Sequence, residues 1–564
     1  MPPQPRWIPA PPRDADLEKT IARELSVAPF VASILAQRGV GGADARNFLF
    51  PKLKTLGDPF LLPNMDRAIT RILTAIDARE RIVLYGDYDV DGVTSLALFT
   101  RVLRAFGAEP RTFLPHRMDE GYGLSADGIA RCIAEHDPQL LIALDCGTSS
   151  VDEIATLKSR GVDAVVFDHH ECKSSLPDCI ALVNPKLANP QFTYLCTVGI
   201  VFKACHALLK RRQNAAVDLR ECLDLVALGT VADIVPLVHE NRIFVQKGLA
   251  QLASTRWPGV RVLMEVAGVR APVRAGDIGF RLGPRLNAAG RLGTACDALE
   301  LLLTDDPSRA RELAAALDTQ NSDRQVVEQK ILRAAELRLA ETFDPARDAA
   351  IVLGDEGWHP GVLGIVASRL CRTHHRPTFV IGFDENDIGK GSGRSIDGFS
   401  LVKALAQCGG LLEKSGGHEM AAGLTIRRER FGEFQKAFGE CARAMLTGEQ
   451  LLPRLRLDAE LDFSELDFNF LNAHELLQPF GSANPQPVFH ARRVSPAAPP
   501  RVLKEKHLSF QLQQNGSTHA AIFFNGVSHE LPPAPWDVAF KIERNEFHDK
   551  VSLQIQIQHV RAAE

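Results

Sequence analysis

Three aspartates stand at alternate positions, Asp87, Asp89 and Asp91, in the stretch RIVLYGDYDVDG at 81–92. Three like charges this close raise one another's pKa unless a cation neutralises them. An all-oxygen ligand set suits magnesium or manganese rather than zinc. The competing readings are a solvated acidic turn and a calcium loop. Counted from Asp87, an EF-hand loop needs glycine at its sixth position and glutamate at its twelfth. Gly92 fills the sixth, but Leu98 stands at the twelfth, so the bidentate carboxylate is missing. Further candidates follow: Asp145 in LDCGTS (144–149), Asp168, His169 and His170 in DHH (168–170), and Asp233 in GTVADIVPL (229–237). Taken singly, Asp145 could cap a helix, and either histidine could be a hydrogen-bonded surface residue. Asp233 sits in an otherwise apolar segment, where a carboxylate needs a cation or a donor. No serine or cysteine is arranged with a base as a covalent nucleophile would be, and Cys146, beside Asp145, reads as a packing residue.

These side chains need strands that end where the ligands begin. Apolar runs predict strands at 81–85, 111–114, 140–144, 163–167 and 180–183, with helices at 93–106, 125–136 and 151–160 between them. That rhythm describes βαβ units and a largely parallel sheet. The carboxyl ends of parallel strands share one edge, where open α/β sheets build their sites. Three strands end in acidic or imidazole residues, so Asp87, Asp89, Asp91, Asp145, His169 and His170 can converge there.

With 564 residues the chain exceeds one core and suggests three or four domains. A hydrophobic content of 45% with 24% charged residues is that of a soluble globular protein. The eleven cysteines are scattered and form no CxxC, which suits reduced thiols and a cytoplasmic location. Neither a signal peptide nor a membrane span is expected. A net charge of −4 gives no support to a nucleic-acid partner, so any basic groove must be local. Residues 1–13, with six prolines, predict an extended mobile tail, followed by helical patterning over Ile21–Arg38 and Ala43–Leu49. Arg281, Arg285, Asn287 and Arg291 cluster among glycines, a pattern that suits phosphate or surface ion pairs. Apolar periodicity over Leu299–Leu303, Arg309–Leu317 and Val326–Leu339 predicts a long helical connector. A second strand–helix–strand pattern covers Ala349–Leu353, Val362–Leu370 and Thr378–Ile381. Two glycine-rich stretches, 391–395 and 415–419, read as loops whose amides could approach an anionic backbone, with Arg394 and His418 beside them. From Pro453 short strands follow one another beyond the loop PFGSANPQP (479–487), as in a small β-barrel.

In order and register, GDYDVDGVTS (86–95), LDCGTS, DHH and GTVADIVPL are followed by FRLGPRLNAAGRLG (280–293), GWHPGVLGIVASRL (357–370), GSGRS (391–395) and SGGHEMAAGL (415–424). This series resembles the DHH phosphoesterase family, and within it the exonucleases specific for single strands, over nearly the whole chain. The resemblance implies a multi-domain α/β protein. Its parts would be an N-terminal tail and helical region (1–60), a DHH catalytic domain with a parallel sheet (61–300), a helical connector (301–346), a smaller α/β DHH-associated substrate-binding domain (347–450) and an OB-fold barrel for nucleic acid (451–564). It also implies that Asp89, Asp91, Asp145, His169 and Asp233 hold two divalent ions, Mn2+ or Mg2+, with Asp145 as a bridge and Asp87 as a further carboxylate. His170 would face the scissile phosphate. Tyr85 stands where related pyrophosphatases carry a histidine ligand. Asp168 would orient His169 or cap the following turn. Arg281, Arg285, Asn287, Arg291, Arg394, Ser395, Gly416, Gly417 and His418 are the implied DNA contacts. The implied activity is 5′→3′ hydrolysis of single-stranded DNA to 5′-mononucleotides in recombination and repair, beside a helicase and single-strand-binding protein. A phosphodiesterase of oligoribonucleotides or cyclic dinucleotides, or a pyrophosphatase, is the alternative, and the C-terminal barrel argues against it. A non-catalytic scaffold is disfavoured because every expected ligand position holds a competent residue.

Overall fold

The computed structural model describes residues 3–115, 123–187, 190–292, 295–547 and 550–563; Gly293 of the arginine- and glycine-rich motif lies outside them. The chain forms two compact units. One comprises Gly42–Ser322 with Leu477–Gln486, the other Met1–Gly41, Asp323–Leu476 and Pro487–Glu564.

The proline-rich start is not a mobile tail. Strand β1 (Arg6–Ile8) pairs in parallel with Arg454–Arg456, and Trp7 anchors it by donating its indole N–H to His559 Nδ1 at 3.0 Å beneath the Arg561 guanidinium. The helical patterning over Ile21–Arg38 belongs to two helices, α1 (Ala15–Leu25) and α2 (Pro29–Gln37). Ser26 closes the first in the left-handed conformation, and Pro29, which cannot continue a helix but can begin one, opens the second.

Helix α3 (Gly42–Leu49) begins the other unit, and α4 (Met65–Asp77) leads into its sheet. Strands β2 (Ile82–Gly86), β3 (Arg111–Phe113), β4 (Leu140–Leu144), β5 (Asp163–Phe167) and β6 (Ala181–Val183) lie in the order β3-β2-β4-β5-β6, all parallel. Helices α5 (Val90–Ala105), α6 (Ala126–His136) and α7 (Val151–Ser159) connect them. Both faces are covered, which is why the central strands β2 and β4 carry no polar side chain other than the Tyr85 hydroxyl. Alternate residues Val83, Tyr85, Leu141, Ala143 and Val166 pack with Ile129 of α6 and Ile154 and Leu157 of α7. Their neighbours Leu84, Leu140, Ile142, Leu144, Val165 and Phe167 face α4, α5 and α8 (Thr197–Arg211). The chain reverses direction across the sheet between β2 and β4, which opens a crevice at their carboxyl ends.

Helices α9 (Leu223–Ala232), α10 (His239–Leu252) and α11 (Gly283–Leu292) also belong to this unit. The loop at 479–487 belongs here for most of its length. Leu237 N–H donates to Ser482 O at 2.9 Å, and the buried Arg242 of α10 donates to the carbonyls of Leu477 and Gln478 at 3.1 and 2.6 Å. Over Arg309–Leu339 the expected connector is one helix of 36 residues, α12 (Pro307–Thr342), whereas Leu299–Leu303 lies in a separate helix, Cys296–Leu303.

The other unit carries β7 (Ile351–Glu356), α13 (Pro360–His374), β8 (Thr378–Phe383), β9 (Ile388–Arg394), β10 (Lys414–Gly417) and β11 (Ala421–Arg427). The sheet order is β10-β11-β9-β8-β7, with β7 and β8 parallel. The two glycine-rich stretches expected as loops are therefore largely strand. In the first stretch the glycines make room for neighbouring side chains: a Cβ on Gly393 would lie 2.4 Å from the Phe379 ring. Strands β12 (Arg454–Arg456), β13 (Ala459–Glu460), β14 (Phe489–Pro496), β15 (Arg501–Leu503), β16 (His507–Gln514), β17 (Ser517–Phe523), β18 (Trp536–Phe547) and β19 (Lys550–Ala562) follow. Pairing of β14 with both β18 and β16 closes β14, β18, β19, β17 and β16 into a five-stranded barrel, with β15 added on β16. Phe489, Phe510, Phe523 and Phe540 fill its interior, whereas Phe524 is exposed.

Candidate metal centre

Asp89 caps α5: its Oδ1 accepts the N–H groups of Asp91 at 2.9 Å and Gly92 at 3.1 Å. This cap folds the acidic loop back on itself, with Asp87 and Asp91 buried. Gly92 permits the fold, because a Cβ there would stand 2.4 Å from Asp87 O. Asp145, directly after β4, is buried in the left-handed conformation (φ 66°), a strain that tertiary contacts must hold. Asp233 caps the C-terminal end of α9. Gly229 lets that helix approach α5, since a Cβ there would meet Thr94 Oγ1 at 2.5 Å and Asp91 Oδ1 at 3.1 Å. His169, after β5, ties the segments together. Its Nε2 lies 3.5 Å from Asp145 Oδ1, 3.6 Å from Asp233 Oδ2 and 3.9 Å from Asp91 Oδ2.

Three ligand groups result: Asp87 with Asp89 and Asp145, Asp145 with His169 and His170, and Asp91 with Cys196 and Asp233. Within each, one donor atom per residue lies within 4.8 Å of the others. Asp145 belongs to two of them. The donors are mostly carboxylate oxygens, and they are crowded. Burial, followed by repulsion from Asp89, pushes Asp91 up to about 7, and burial with repulsion from Asp91 and Asp89 pushes Asp233 up to about 9. Asp145 is held well above the usual carboxylate range, by burial first and then by Asp91 and Asp89. Asp233 Oδ2 is buried and accepts no hydrogen bond among the described residues. Acidic oxygens that raise one another's proton affinity, one of them without a donor, fit divalent cations of the magnesium and manganese type.

Asp168 behaves in the opposite way. Burial alone would raise its pKa, but the hydrogen bond and charge of His170, with donors from Thr148, hold it well below the usual range. Its Oδ1 lies 2.7 Å from His170 Nδ1 and also accepts the N–H groups of His169 and His170. It thus caps the turn as expected, but the ring it orients is that of His170, because the His169 ring turns toward the carboxylates. Despite burial, His170 is raised above the ordinary histidine value by Asp168, then by Asp87 and Asp89.

Two contributors escape the sequence reading. Asn184, immediately after β6, is fully buried and donates to Thr148 Oγ1 and His170 O, both at 2.9 Å. Its place at a strand end on the same edge would have exposed it. Thr197 donates to Asp91 and Asp145 from the start of α8, a contact no local pattern signals. Tyr85 is buried on the far face of β2 with its hydroxyl on Gly123 O, which takes it out of the ligand set. Cys146 is buried among apolar side chains, as a packing residue.

Of the expected DNA contacts, Arg281 donates to Asp277 and Gly268 O, and Arg285 to Asp318 and Arg281 O. Asn287 and Arg291 lie half-buried on α11. In the other unit, Arg394 donates to Ser392 Oγ and Gly393 O, Ser395 to Phe399 O, and Gly416, Gly417 and His418 are exposed at the end of β10.

Family comparisons agree with this geometry along the chain. Residues 81–230 match the N-terminal domain of the DHH family, 347–444 the DHHA1 domain and 457–559 the RecJ OB domain. The single-stranded-DNA-specific exonuclease RecJ of Bacillus subtilis is 36% identical over 563 residues, covering 98% of this chain and 70% of that one. The chain belongs to the RecJ family. RecJ of Thermus thermophilus in complex with Mn2+ superposes with a TM-score of 0.85 at 31% identity, over 99% of this chain and 80% of that one. The complex of the same RecJ with Mg2+ gives 0.79 at 29% identity, over 99% and 79%. The DHH-type sheet and C-terminal OB-fold expected from sequence are thus those of a RecJ protein.

Proposed function

We propose that this RecJ-family chain is an exonuclease that hydrolyses single-stranded DNA in the 5′→3′ direction to 5′-mononucleotides, using two divalent cations, Mn2+ or Mg2+. The observation that carries the reading is the meeting of Asp87, Asp89, Asp91, Asp145, His169 and Asp233 at one sheet edge, in a family with metal-bound RecJ structures. Those six residues would hold the ions, with Asp145 shared between them. Two such cations supply the positive charge that lets an electron-rich phosphodiester be attacked and its leaving oxygen depart. The carboxylates orient the ions, and the buried Asp87, Asp91 and Asp145 keep bulk water from screening them. His170, tethered by Asp168, keeps its positive charge to higher pH than an ordinary histidine, which suits contact with the scissile phosphate.

The strand would be held by Asn287, Arg291, Arg394, Ser395, Gly416, Gly417 and His418, and by the barrel. Arg281 and Arg285, which also donate to Asp277 and Asp318 within their own unit, would join them. Among the described residues no helix is long and apolar enough to cross a membrane. We place the enzyme in the cytoplasm, in recombination and repair, taking strands opened by a helicase and covered by single-strand-binding protein. The test compares a long 5′-phosphorylated single strand, the same strand in a duplex and a dinucleotide. Rapid hydrolysis of the long single strand alone is expected. Asp145→Ala should abolish hydrolysis and leave DNA binding near the wild-type level; an active Asp145→Ala protein would overturn the assignment.

A further inference from the structure

Two consecutive residues at the start of α8 lie against the carboxylates of the centre. The backbone N–H of Thr197 donates to Asp91 Oδ2 at 2.6 Å and that of Val198 to Asp91 Oδ1 at 2.8 Å. The hydroxyl of Thr197 donates to Asp145 Oδ1 at 2.9 Å. Thr197 is fully buried, and it bonds the carboxylate shared by two ligand groups as well as one in the third.

We infer that Thr197 is a positioning residue of the metal centre, whose hydroxyl fixes which oxygen of Asp145 is presented to the ions. The inference rests on the metal-dependent reading above. Asp145 is in a left-handed conformation amid like charges, so rotation of its carboxylate away from its neighbours is the motion that relieves repulsion. A donor on Oδ1 opposes that rotation and keeps this oxygen beside His169 Nε2, 3.5 Å away. The N–H groups of Thr197 and Val198, at the positive end of a helix, hold both oxygens of the Asp91 carboxylate in place. Outer partners of this kind orient ligands and are worth about 10–100-fold in metal affinity.

The test is Mn2+ binding by the full-length chain, followed by electron paramagnetic resonance of the free ion, beside circular dichroism and melting temperature. Thr197→Val keeps the branched shape and the backbone N–H and removes only the hydroxyl. It should weaken Mn2+ binding by about 10–100-fold with secondary structure intact. Thr197→Ser should restore affinity to within a few-fold. If the Val protein does not fold, Thr197→Ala removes the same hydroxyl with less bulk and is read in the same way. Wild-type affinity in the hydroxyl-free variant overturns the inference, and so does a Ser variant as weak as Val. Asp145→Ala, titrated alongside, separates the two levels. If it loses Mn2+ while Thr197→Val does not, Thr197 falls and the nuclease reading stands. If the wild type itself binds no Mn2+, the nuclease reading falls, and with it the basis for assigning Thr197.

Discussion

Neighbouring aspartates can have opposite tasks because their surroundings differ. Asp145 and Asp233 face other carboxylates and gain protons readily, whereas Asp168 faces a histidine and three backbone N–H groups and stays ionised. Asparagine at 168 would retain size and one acceptor oxygen but remove the charge that holds His170 in its cationic form. Turnover of single-stranded DNA by Asp168→Asn should fall about 10–100-fold, the range for partners that orient a reacting group. Mn2+ affinity should change less than turnover, and paired steady-state and Mn2+-binding measurements would show it. An unchanged turnover number would remove His170 from the chemistry. At this scale the sequence shows ligands that terminate apolar strands, because polarity changes abruptly there. The tether from Asp168 to His170 rather than His169 depends on side-chain rotation within one turn. The Thr197 contact joins residues 106 apart, so only the packed fold reveals it.

Among the elements, the strand–loop–helix unit from β2 to α5 does most to shape the centre, and its tightest point is Gly92. The atom nearest an added Cβ is backbone, Asp87 O at 2.4 Å, with Asp87 C at 2.8 Å. Neither can swing aside as a side chain would, so Gly92→Ala must shift the first turn of α5 or the loop carrying Asp87 and Asp89. Displacements near 1 Å in a reacting geometry cost on the order of 10²-fold in rate, and a loss of that size is expected for Gly92→Ala. Gly432→Ala, where an added Cβ meets nothing within 4 Å, serves as the control. Full activity in Gly92→Ala would show that the loop geometry is not what positions the carboxylates. The strands of this unit are legible as unbroken apolar runs because both sheet faces are buried. Glycine misleads around β9 for a physical reason: its want of a side chain serves flexible loops and close packing equally. There Phe379, Ile381 and Leu424 occupy the space beside Gly391 and Gly393.

Over the whole molecule, a net charge of −4 conceals a dense local concentration of negative charge in the unit formed by Gly42–Ser322 and Leu477–Gln486. Sequence order leaves the last of those segments unassigned, because PFGSANPQP stands next to the barrel strands. The donors that claim it, Arg242 and Leu237, lie more than two hundred residues upstream. The carboxylates that gather here are far apart in the unfolded chain, so cations that bind the native cluster have no comparable site after unfolding. A ligand of that kind stabilises by about 2.7 kcal/mol at a hundred times its Kd and about 4.1 kcal/mol at a thousand times. Removing bound Mn2+ with a chelator should therefore lower the melting temperature by several degrees, the shift that energies of this size produce in a unit of this length. Hydrogen exchange should localise the loss to residues 86–95, 144–149, 168–170 and 229–237, while strands β14 to β19 keep their protection. Asp145→Ala should melt at the same temperature with or without Mn2+. If chelation leaves the wild-type melting temperature unchanged, or loosens the barrel as much as the loops around Asp87 and Asp145, the cations are not held by this cluster.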